Sequence, residues 1–167
     1  MNRIEELISF LELKRHPEGG FYKETYRSDG VISQQELGDS FSGARNYSTG
    51  IYFLLTDSVF SAFHRIKQDE MWHFYEGDPL RVHMIDASGT YSYQDIGLNF
   101  EHHQQPQFVV PAGVWFASEV VTGGKYSLVG CTVAPGFDFE DFELAERADL
   151  VSSFPQHQPI IQRLTRA

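Results

Sequence analysis

The chain is poor in cysteine and in clustered basic residues, and it has no long apolar run. One cysteine, Cys131, is present among 167 residues, so an internal disulfide is excluded. It lies in the apolar stretch YSLVGCTVA, without a neighbouring cation to stabilise a thiolate, which predicts a buried small side chain. No apolar segment approaches the length that a membrane-spanning helix needs.

Positive charge is also scarce. Lys and Arg number 13 against 23 Asp and Glu, and the formal net charge is −10. Binding to nucleic acid or to an anionic membrane requires clustered basic side chains, so neither is expected as a partner. The acidic residues Glu5, Glu6 and Glu12 near the N-terminus argue against a signal peptide. The expectation is a cytoplasmic protein.

The apolar pattern predicts one helix followed by many short strands. Ile4, Leu7, Ile8 and Leu11 recur at helical spacing, which predicts a short helix over residues 3–13. Turn-forming tripeptides then recur at intervals of a strand plus a turn, at residues 77–79, 87–89, 111–113, 122–124 and 134–136. This spacing indicates an all-β sandwich or barrel, built as a single domain over residues 1–167.

Two other segments break the strand pattern. Residues 28–49 are polar and rich in Ser, Gly and Gln, which indicates a long loop that is either a lid or an interface arm, or else a disordered segment. A minor C-terminal helix is predicted from about residue 138 to residue 150.

The stretch FHRIKQDEMWHFYEG at residues 63–77 carries the candidate site. Side chains alternate across a strand, so an inward His64 brings Ile66 with it, and an inward Glu70 brings Trp72 and Phe74. Two titratable groups would then face a mostly apolar cavity, which is the usual composition of a small-ligand site.

A tight turn over residues 67–69 is expected to pair the His64 strand with the Glu70 strand. In antiparallel pairing the two side chains would meet in one cavity, with Trp72 and Phe116 on its wall.

Four segments give the chain a resemblance to a known family. The chain resembles the cupins of the double-stranded β-helix (jelly-roll) superfamily, and within them the cupin-5 (DUF985) family. The segments are LELKRHPEGGFYKETYRS at residues 11–28, HRIKQDEMWHFYEG at 64–77, FVVPAGVW at 108–115 and CTVAPGFDFEDFEL at 131–144. The resemblance implies a jelly roll and the exchange of N-terminal strands between two copies.

The same resemblance implies a metal site from which two ligands are missing. His64 and Glu70 stand where the first cupin motif has a histidine and the glutamate, but Ile66 stands at its second histidine. In the second motif Phe116 stands where a histidine follows Pro111-x-Gly113. Two ligands are too few for a tight transition-metal site, so no cofactor is expected beyond weak divalent-metal binding at His64 and Glu70.

Two functions remain open from the sequence. The first is binding of a sugar-like or heterocyclic small molecule, held by His64 and Glu70 as polar anchors. The residues expected to contact it are Ile66, Trp72, Phe74, Phe116 and Arg65.

The alternative is a metal-independent isomerase or epimerase. His64 would be the general base, Tyr52 the acid, and Glu70 the third catalytic group. A metal-dependent enzyme is disfavoured by the missing ligands.

Two further expectations follow. Arg27, Arg45 and Arg65 around the cavity mouth would favour a phosphorylated substrate, whereas an apolar mouth would favour a neutral ligand. The aromatic stretch GFYKETY at residues 20–26 is expected to form an edge strand, and exposed edges invite pairing, which predicts a homodimer.

Overall fold

The computed structural model describes all residues from 1 to 167. Its strands are, in chain order, β1 (Lys14–Arg15), β2 (Phe21–Arg27), β3 (Val31–Ile32), β4 (Arg45–Asn46), β5 (Thr49–Thr56), β6 (Ser61–Arg65), β7 (Asp69–Gly77), β8 (Leu80–Ile85), β9 (Tyr91–Ile96), β10 (Gln107–Val110), β11 (Trp115–Val120), β12 (Tyr126–Ala134) and β13 (Glu143–Leu144).

The helices lie mainly at the two ends of the chain. They are α1 (Arg3–Phe10), α2 (Gln34–Leu37), α3 (Arg147–Ser153) and α4 (Gln158–Arg163), with single 3-10 turns at Phe100–His102, Phe139–Asp141 and Pro155–His157. None of the helices has the length and apolar character required to cross a lipid bilayer.

The predicted N-terminal helix is confirmed as α1, although it ends at Phe10. Asn2 caps the backbone N–H of Glu5, and the Glu5 carboxylate accepts from the backbone N–H of Asn2, so two otherwise unpaired donors are satisfied. Leu7 on its inner face packs with Leu54 and Leu128 on the outer face of the larger sheet.

Two antiparallel sheets form the jelly roll, as the strand pattern predicted. The larger sheet has the order β1-β2-β5-β12-β7-β10, and the smaller has the order β13-β6-β11-β8-β9. Apolar side chains alternate inward from both sheets, because successive residues of a strand point to opposite faces. Phe53, Trp72 and Phe116 are the largest members of the core between them. The C-terminal helices cover the outer face of the smaller sheet at Phe63 and Ile85.

The predicted pairing of the His64 strand with the Glu70 strand is wrong. Strand β6 pairs with β11 and β13, whereas β7 pairs with β10 and β12, so residues 66–68 cross from one sheet to the other. The crossing residue Gln68 is buried and donates to Asp141, which holds the connection inside the fold. His64 and Glu70 therefore approach each other across the barrel.

Two other segments also differ from expectation. Residues 28–49 carry β3, α2 and β4, and their Arg45 is buried against the rest of the domain. The predicted helix over residues 138–150 is instead a 3-10 turn, then β13, then α3, which begins only at Arg147. Phe139 and Phe142 face the barrel cavity, whereas Ala145 packs in the core under the C-terminal helices, so these residues do not form one helical stripe.

The aromatic stretch at residues 20–26 forms most of β2, which is not the outermost strand of its sheet. The short strand β1 pairs with Phe21 and Tyr22, and β5 pairs along the other side of β2. From Lys23 to Arg27, the side of β2 away from β5 has no paired strand.

Candidate functional site

A cavity of about 420 Å³ opens between the two sheets. Six of its wall residues are aromatic: Tyr22, Phe53, Trp72, Phe137, Phe139 and Phe142. Its charged or titratable residues are His16, Glu18, Glu24, Arg27, His64, Glu70 and Asp138. The cavity therefore combines broad apolar faces with a few polar groups, which is typical of small-ligand sites.

An ion pair between Glu18 and His64 forms one wall of the cavity. His64 Nε2 lies 2.8 Å from Glu18 Oε2, and His64 Nδ1 lies 2.7 Å from the carbonyl oxygen of Ala62. Because a carbonyl oxygen only accepts, Nδ1 carries a proton and donates it to Ala62. Both nitrogens of His64 are therefore occupied by protein groups.

Charge attraction outweighs burial in this pair. Burial alone would lower the pKa of His64, but the charge and hydrogen bond of Glu18 raise that pKa above its ordinary value. Burial alone would raise the pKa of Glu18, and the charge and hydrogen bond of His64 instead lower it. The pair is thus a buried imidazolium and carboxylate. The nearby His16 has a pKa lowered mainly by burial, so it stays neutral.

A tight turn places Glu18 in the wall. Gly19 and Gly20 adopt φ values of 112° and 86°, a region that favours glycine. A side chain at Gly19 would meet the backbone oxygen of Phe60, so the turn can pack closely on β6 only without one. The Arg166 guanidinium donates to the backbone oxygens of Glu18 and Phe60 at 3.1 and 2.9 Å and fixes the two segments together.

Glu70 lies across the cavity and differs from Glu18 in having no ion-pair partner. Burial raises the pKa of Glu70 to about 7, with opposing contributions from the His64 charge, which lowers it, and the Glu18 charge, which raises it. The Trp72 indole lies close enough to lower that pKa slightly, yet its Nε1–H makes no hydrogen bond of normal geometry. Glu70 and the indole therefore lie side by side at one end of the cavity, and Glu70 has no charged group hydrogen-bonded to it.

Residues 137–142 form the outer wall of the cavity and are fixed at both ends. At one end the backbone N–H of Phe137 donates to Thr49 Oγ1 at 2.9 Å, and its carbonyl accepts from Arg27 at 3.0 Å. At the other end Arg45 donates both Nε and Nη2 to the Asp141 carboxylate, each at 2.8 Å. The segment is therefore a fixed part of the cavity wall, and it contributes the side chains of Phe137, Phe139 and Phe142.

The structure brings together four of the residues that the sequence singled out. His64, Ile66, Glu70 and Trp72 all line the cavity. Phe116 is 1% exposed and lies behind His64, with 4.1 Å between the ring centroids. It therefore supports the imidazole from the core side and does not face the cavity.

Phe74 and Tyr52 lie away from the cavity. Phe74 packs against the core between the sheets. Ile51 and Phe53 line the cavity, so Tyr52 between them points to the opposite face of the sheet, beside Tyr75. The placement of Tyr52 therefore corrects its assignment as the acid partner of His64.

Two of the three arginines expected at the mouth are elsewhere. Arg65 points away from the cavity, pairs with Glu143 at 2.7 Å and lies over the Trp115 ring at 4.3 Å. Arg45 is buried against Asp141 behind the cavity wall. Arg65 alternates with His64 along β6, so an inward His64 requires an outward Arg65. Arg65 is therefore not a ligand-contacting residue in this arrangement.

Glu18 is a site residue that was not predicted from the sequence. The signal was present in the Glu18-Gly19-Gly20 spacing, because two consecutive glycines with positive φ allow a close backbone approach. What the sequence did not show was that the turn packs on β6 beside His64.

The residues present do not fit the metal site that the jelly-roll resemblance implies. Ile66 and Phe116 occupy two ligand positions, and neither side chain can coordinate a metal. His64 Nε2, the atom that would coordinate, is held by Glu18, and His64 Nδ1 is held by Ala62. No group of three or more His, Cys, Asp or Glu side chains is arranged to hold an ion.

The fold and the cavity define a cupin-like barrel, and sequence comparison gives the family. The chain belongs to the DUF985 family of the cupin superfamily, which it matches over residues 5–145. It is 31% identical over 155 residues to the uncharacterized protein YML079W of Saccharomyces cerevisiae, covering 87% of this chain and 77% of that protein.

Solved structures resemble it over nearly its whole length. A hypothetical protein from Leishmania major is 36% identical with a TM-score of 0.91, and 99% of this chain and 100% of that one are covered. Protein SO0799 from Shewanella oneidensis is 40% identical with a TM-score of 0.87, covering 99% of each. Oxalate decarboxylase from Bacillus subtilis shares the fold alone, at 15% identity and a TM-score of 0.54, over 93% of this chain and 38% of that one.

Proposed function

We propose that this protein binds a small organic molecule in the cavity between its sheets. The observation that carries the proposal is the Glu70 carboxyl, which faces an aromatic-lined cavity without an ion-pair partner. Buried carboxyl groups are normally paired with a cation or with several donors, so a carboxyl without a counter-charge in such a cavity suits a ligand that supplies the partner. A sugar-like or heterocyclic molecule suits flat aromatic walls with one polar end.

The charges at the mouth argue against a phosphorylated ligand. Of the three candidate arginines, Arg27 alone lines the cavity. Its guanidinium is occupied by Glu24 at 2.6 Å, by Asn46 at 2.8 Å and by the Phe137 carbonyl at 3.0 Å. A phosphate group would meet more carboxylates than free cations in this cavity.

A pair of substitutions on one strand tests the binding proposal. Ile51→Trp places an indole in the cavity, whereas Tyr52→Trp, one residue later, places it on the outer face of the sheet. A library of sugars and nitrogen heterocycles is screened by saturation-transfer NMR. We expect hits that bind the parent and Tyr52→Trp alike and lose affinity for Ile51→Trp. Hits that bind the parent and both variants equally would show that they bind outside the cavity.

A second candidate function is metal-independent proton transfer, as in an isomerase or epimerase. The observation that favours it is the pKa of Glu70 of about 7, which suits a group that both takes and gives a proton at neutral pH. His64 is a poor base because both of its nitrogens are engaged. Glu70 therefore replaces His64 as the proposed base, and Tyr22 is the tyrosine that lines the cavity.

Proton transfer is tested by exchange with solvent deuterium. Candidate hydroxycarbonyl compounds are incubated with the protein in D₂O, and loss of the proton next to the carbonyl is followed by NMR. Glu70→Gln should abolish the exchange, while Tyr52→Phe should retain it because Tyr52 lies outside the cavity. Exchange that survives in Glu70→Gln would remove Glu70 as the base.

A further inference from the structure

We infer that the ligand of this cavity is an organic cation, an amine or a protonated nitrogen heterocycle, whose charged nitrogen lies against the Glu70 carboxylate. This inference rests on the proposed small-molecule function and names the chemical class of its ligand.

Carboxylates outnumber cations in the cavity wall, and Glu70 is left without a counter-charge. Glu18 is paired with His64 at 2.8 Å, and Glu24 is paired with Arg27 at 2.6 Å. Asp138 has a side chain that is 40% exposed and lies 4.0 Å from an arginine behind the wall. Glu70 feels the charge of His64 but is the inner carboxylate without a hydrogen-bonded cation of its own.

The groups that face Glu70 cannot supply that cation. His64, on the opposite sheet, already carries the Glu18 ion pair. Cys131, on the neighbouring strand β12, is buried, and burial raises the pKa of its thiol, so it stays neutral. The Glu18 carboxylate adds a second negative charge to the same space. Burial favours the neutral form of Glu70, and a cation beside it would favour the ionised form and gain a charge pair, whereas an anion would be repelled by Glu18.

The aromatic walls favour a positive charge for an independent reason. Trp72, Tyr22 and Phe53 line the cavity, and the face of an aromatic ring attracts a cation within about 6 Å. Trp72 shares the inner face of β7 with Glu70, so ring and carboxylate border the same end of the cavity.

The Trp72 indole marks that end as the polar end of the ligand site. Trp72 is 2% exposed, and its Nε1–H has no hydrogen-bond partner in the protein. Buried N–H groups are rarely left unpaired, and this donor lies beside the Glu70 carboxyl, so the two groups together mark one polar end of the cavity. A cation that also carries an acceptor atom, such as a nitrogen heterocycle, has groups for both Glu70 and Trp72.

The test compares two probes of nearly equal shape, benzylamine and benzyl alcohol, which are respectively charged and neutral near pH 7. Their binding is followed by the indole N–H signals in a ¹H–¹⁵N spectrum. The chain has two tryptophans, and Trp115 lies outside the cavity, so its signal is an internal control. A hydrogen-bonded charge pair in such a site is worth about a 10- to 100-fold difference in affinity. We expect benzylamine to bind more tightly by that factor and to shift the Trp72 signal.

Substitution separates charge from shape. Glu70→Gln keeps the size of the side chain and should remove most of the preference for benzylamine. Glu143→Gln, which removes an exposed carboxylate paired with Arg65 outside the cavity, should keep it. Because the two probes are also compared on the parent protein, the test stands even if a variant folds poorly.

The remaining outcomes distinguish failure of the cation inference from failure of the proposed small-molecule function. Benzyl alcohol binding the parent as tightly as benzylamine, with the Trp72 signal moving, would overturn the cation inference and leave the small-molecule function in place. An unchanged preference for benzylamine in a folded Glu70→Gln variant would also overturn it. If neither probe moves the Trp72 signal, the inference fails; if the sugar and heterocycle library also finds no hit, the proposed function fails with it.

Discussion

Glu18 and His64 form an ion pair of 2.8 Å across the wall of the barrel cavity, although they come from a turn and a strand that are distant in sequence. The turn is tied to the strand by the backbone N–H of Ala62, which donates to the Glu18 carbonyl at 2.9 Å. The pair fixes His64 as a donor on both nitrogens and leaves Glu70, on the facing sheet, as the titratable group that is free to meet a ligand.

Glu18→Gln should destabilise the fold and change the titration of His64. Removing one partner of a buried ion pair costs about 3 kcal/mol, because the other charge is left buried. Without Glu18, burial dominates and the pKa of His64 should fall below its ordinary value. Chemical denaturation and an NMR pH titration of His64 measure the two effects. Glu12→Gln, which breaks an exposed pair with Lys23, is the control and should change neither quantity measurably.

The same pair predicts how stability depends on pH. Glu18 has a lowered pKa in the fold, so its contribution is present above its ordinary value of 4.5 and is lost as pH falls through the lowered pKa. His64 has a raised pKa, so its contribution is present below 6.5 and is lost as pH rises through the raised value. The stability difference between the parent and Glu18→Gln should therefore be largest between about pH 4.5 and 6.5. A difference that keeps growing up to pH 9 would contradict this account.

Gly19→Ala should cost more stability than Gly113→Ala, although both glycines have positive φ. At Gly19 a Cβ would meet the backbone oxygen of Phe60, which cannot move without displacing β6. At Gly113 nothing lies within 4 Å of the added carbon, so only the conformational strain remains. We expect losses of about 3 and 1 kcal/mol respectively, measured by chemical denaturation. Equal losses would show that the turn is not packed as described.

Asp141→Asn should loosen the outer wall of the cavity. The carboxylate accepts two hydrogen bonds from Arg45 and one from Gln68, all in a buried setting. Replacing it leaves the buried Arg45 charge with only the more distant carboxylates of Asp138 and Glu140, at a cost of about 3 kcal/mol. Amide hydrogen exchange of residues 137–142 should accelerate in this variant. Glu140→Gln, on the exposed side of the same turn, should leave both stability and exchange near those of the parent.

We propose that the protein forms a homodimer. From Lys23 onward, the side of β2 away from β5 has no paired strand, and exposed edges invite pairing. Tyr26 on this part of β2 is 58% exposed and would contribute apolar contact area. Sedimentation at micromolar concentration should show a species of twice the 19.1 kDa chain mass. A species of the chain mass alone would contradict the proposal.

The sequence predicted the fold well because alternation and turn residues are local signals. The helix α1, the short strands and the shared cavity of His64, Glu70 and Trp72 all follow from side-chain periodicity and from the family resemblance. The sheet membership of β6 and β7 did not follow, since alternation fixes the face of a strand but not its partner.

The parts of the site that were missed depend on distant contacts. Glu18 lies in a turn, and its role depends on packing against β6. Tyr52 was assigned inward because its strand is apolar on both faces, and there the pattern does not distinguish inside from outside. Arg45 lies in a polar stretch of sequence, where an exposed cation is expected. It is instead buried, and its burial depends on the ion pair with Asp141, which is distant in sequence.

Glu70 is a buried carboxyl group that faces the cavity without an ion-pair partner, and the proposed function depends on this feature. The most direct test follows the ¹³C signal of the Glu70 side-chain carboxyl from roughly pH 4 to 9, with Glu70→Gln used to assign the signal. The account predicts a titration midpoint of about 7, because burial disfavours the ionised form. A midpoint near the ordinary value of 4.5 would mean that Glu70 is solvated or paired, and would contradict the account.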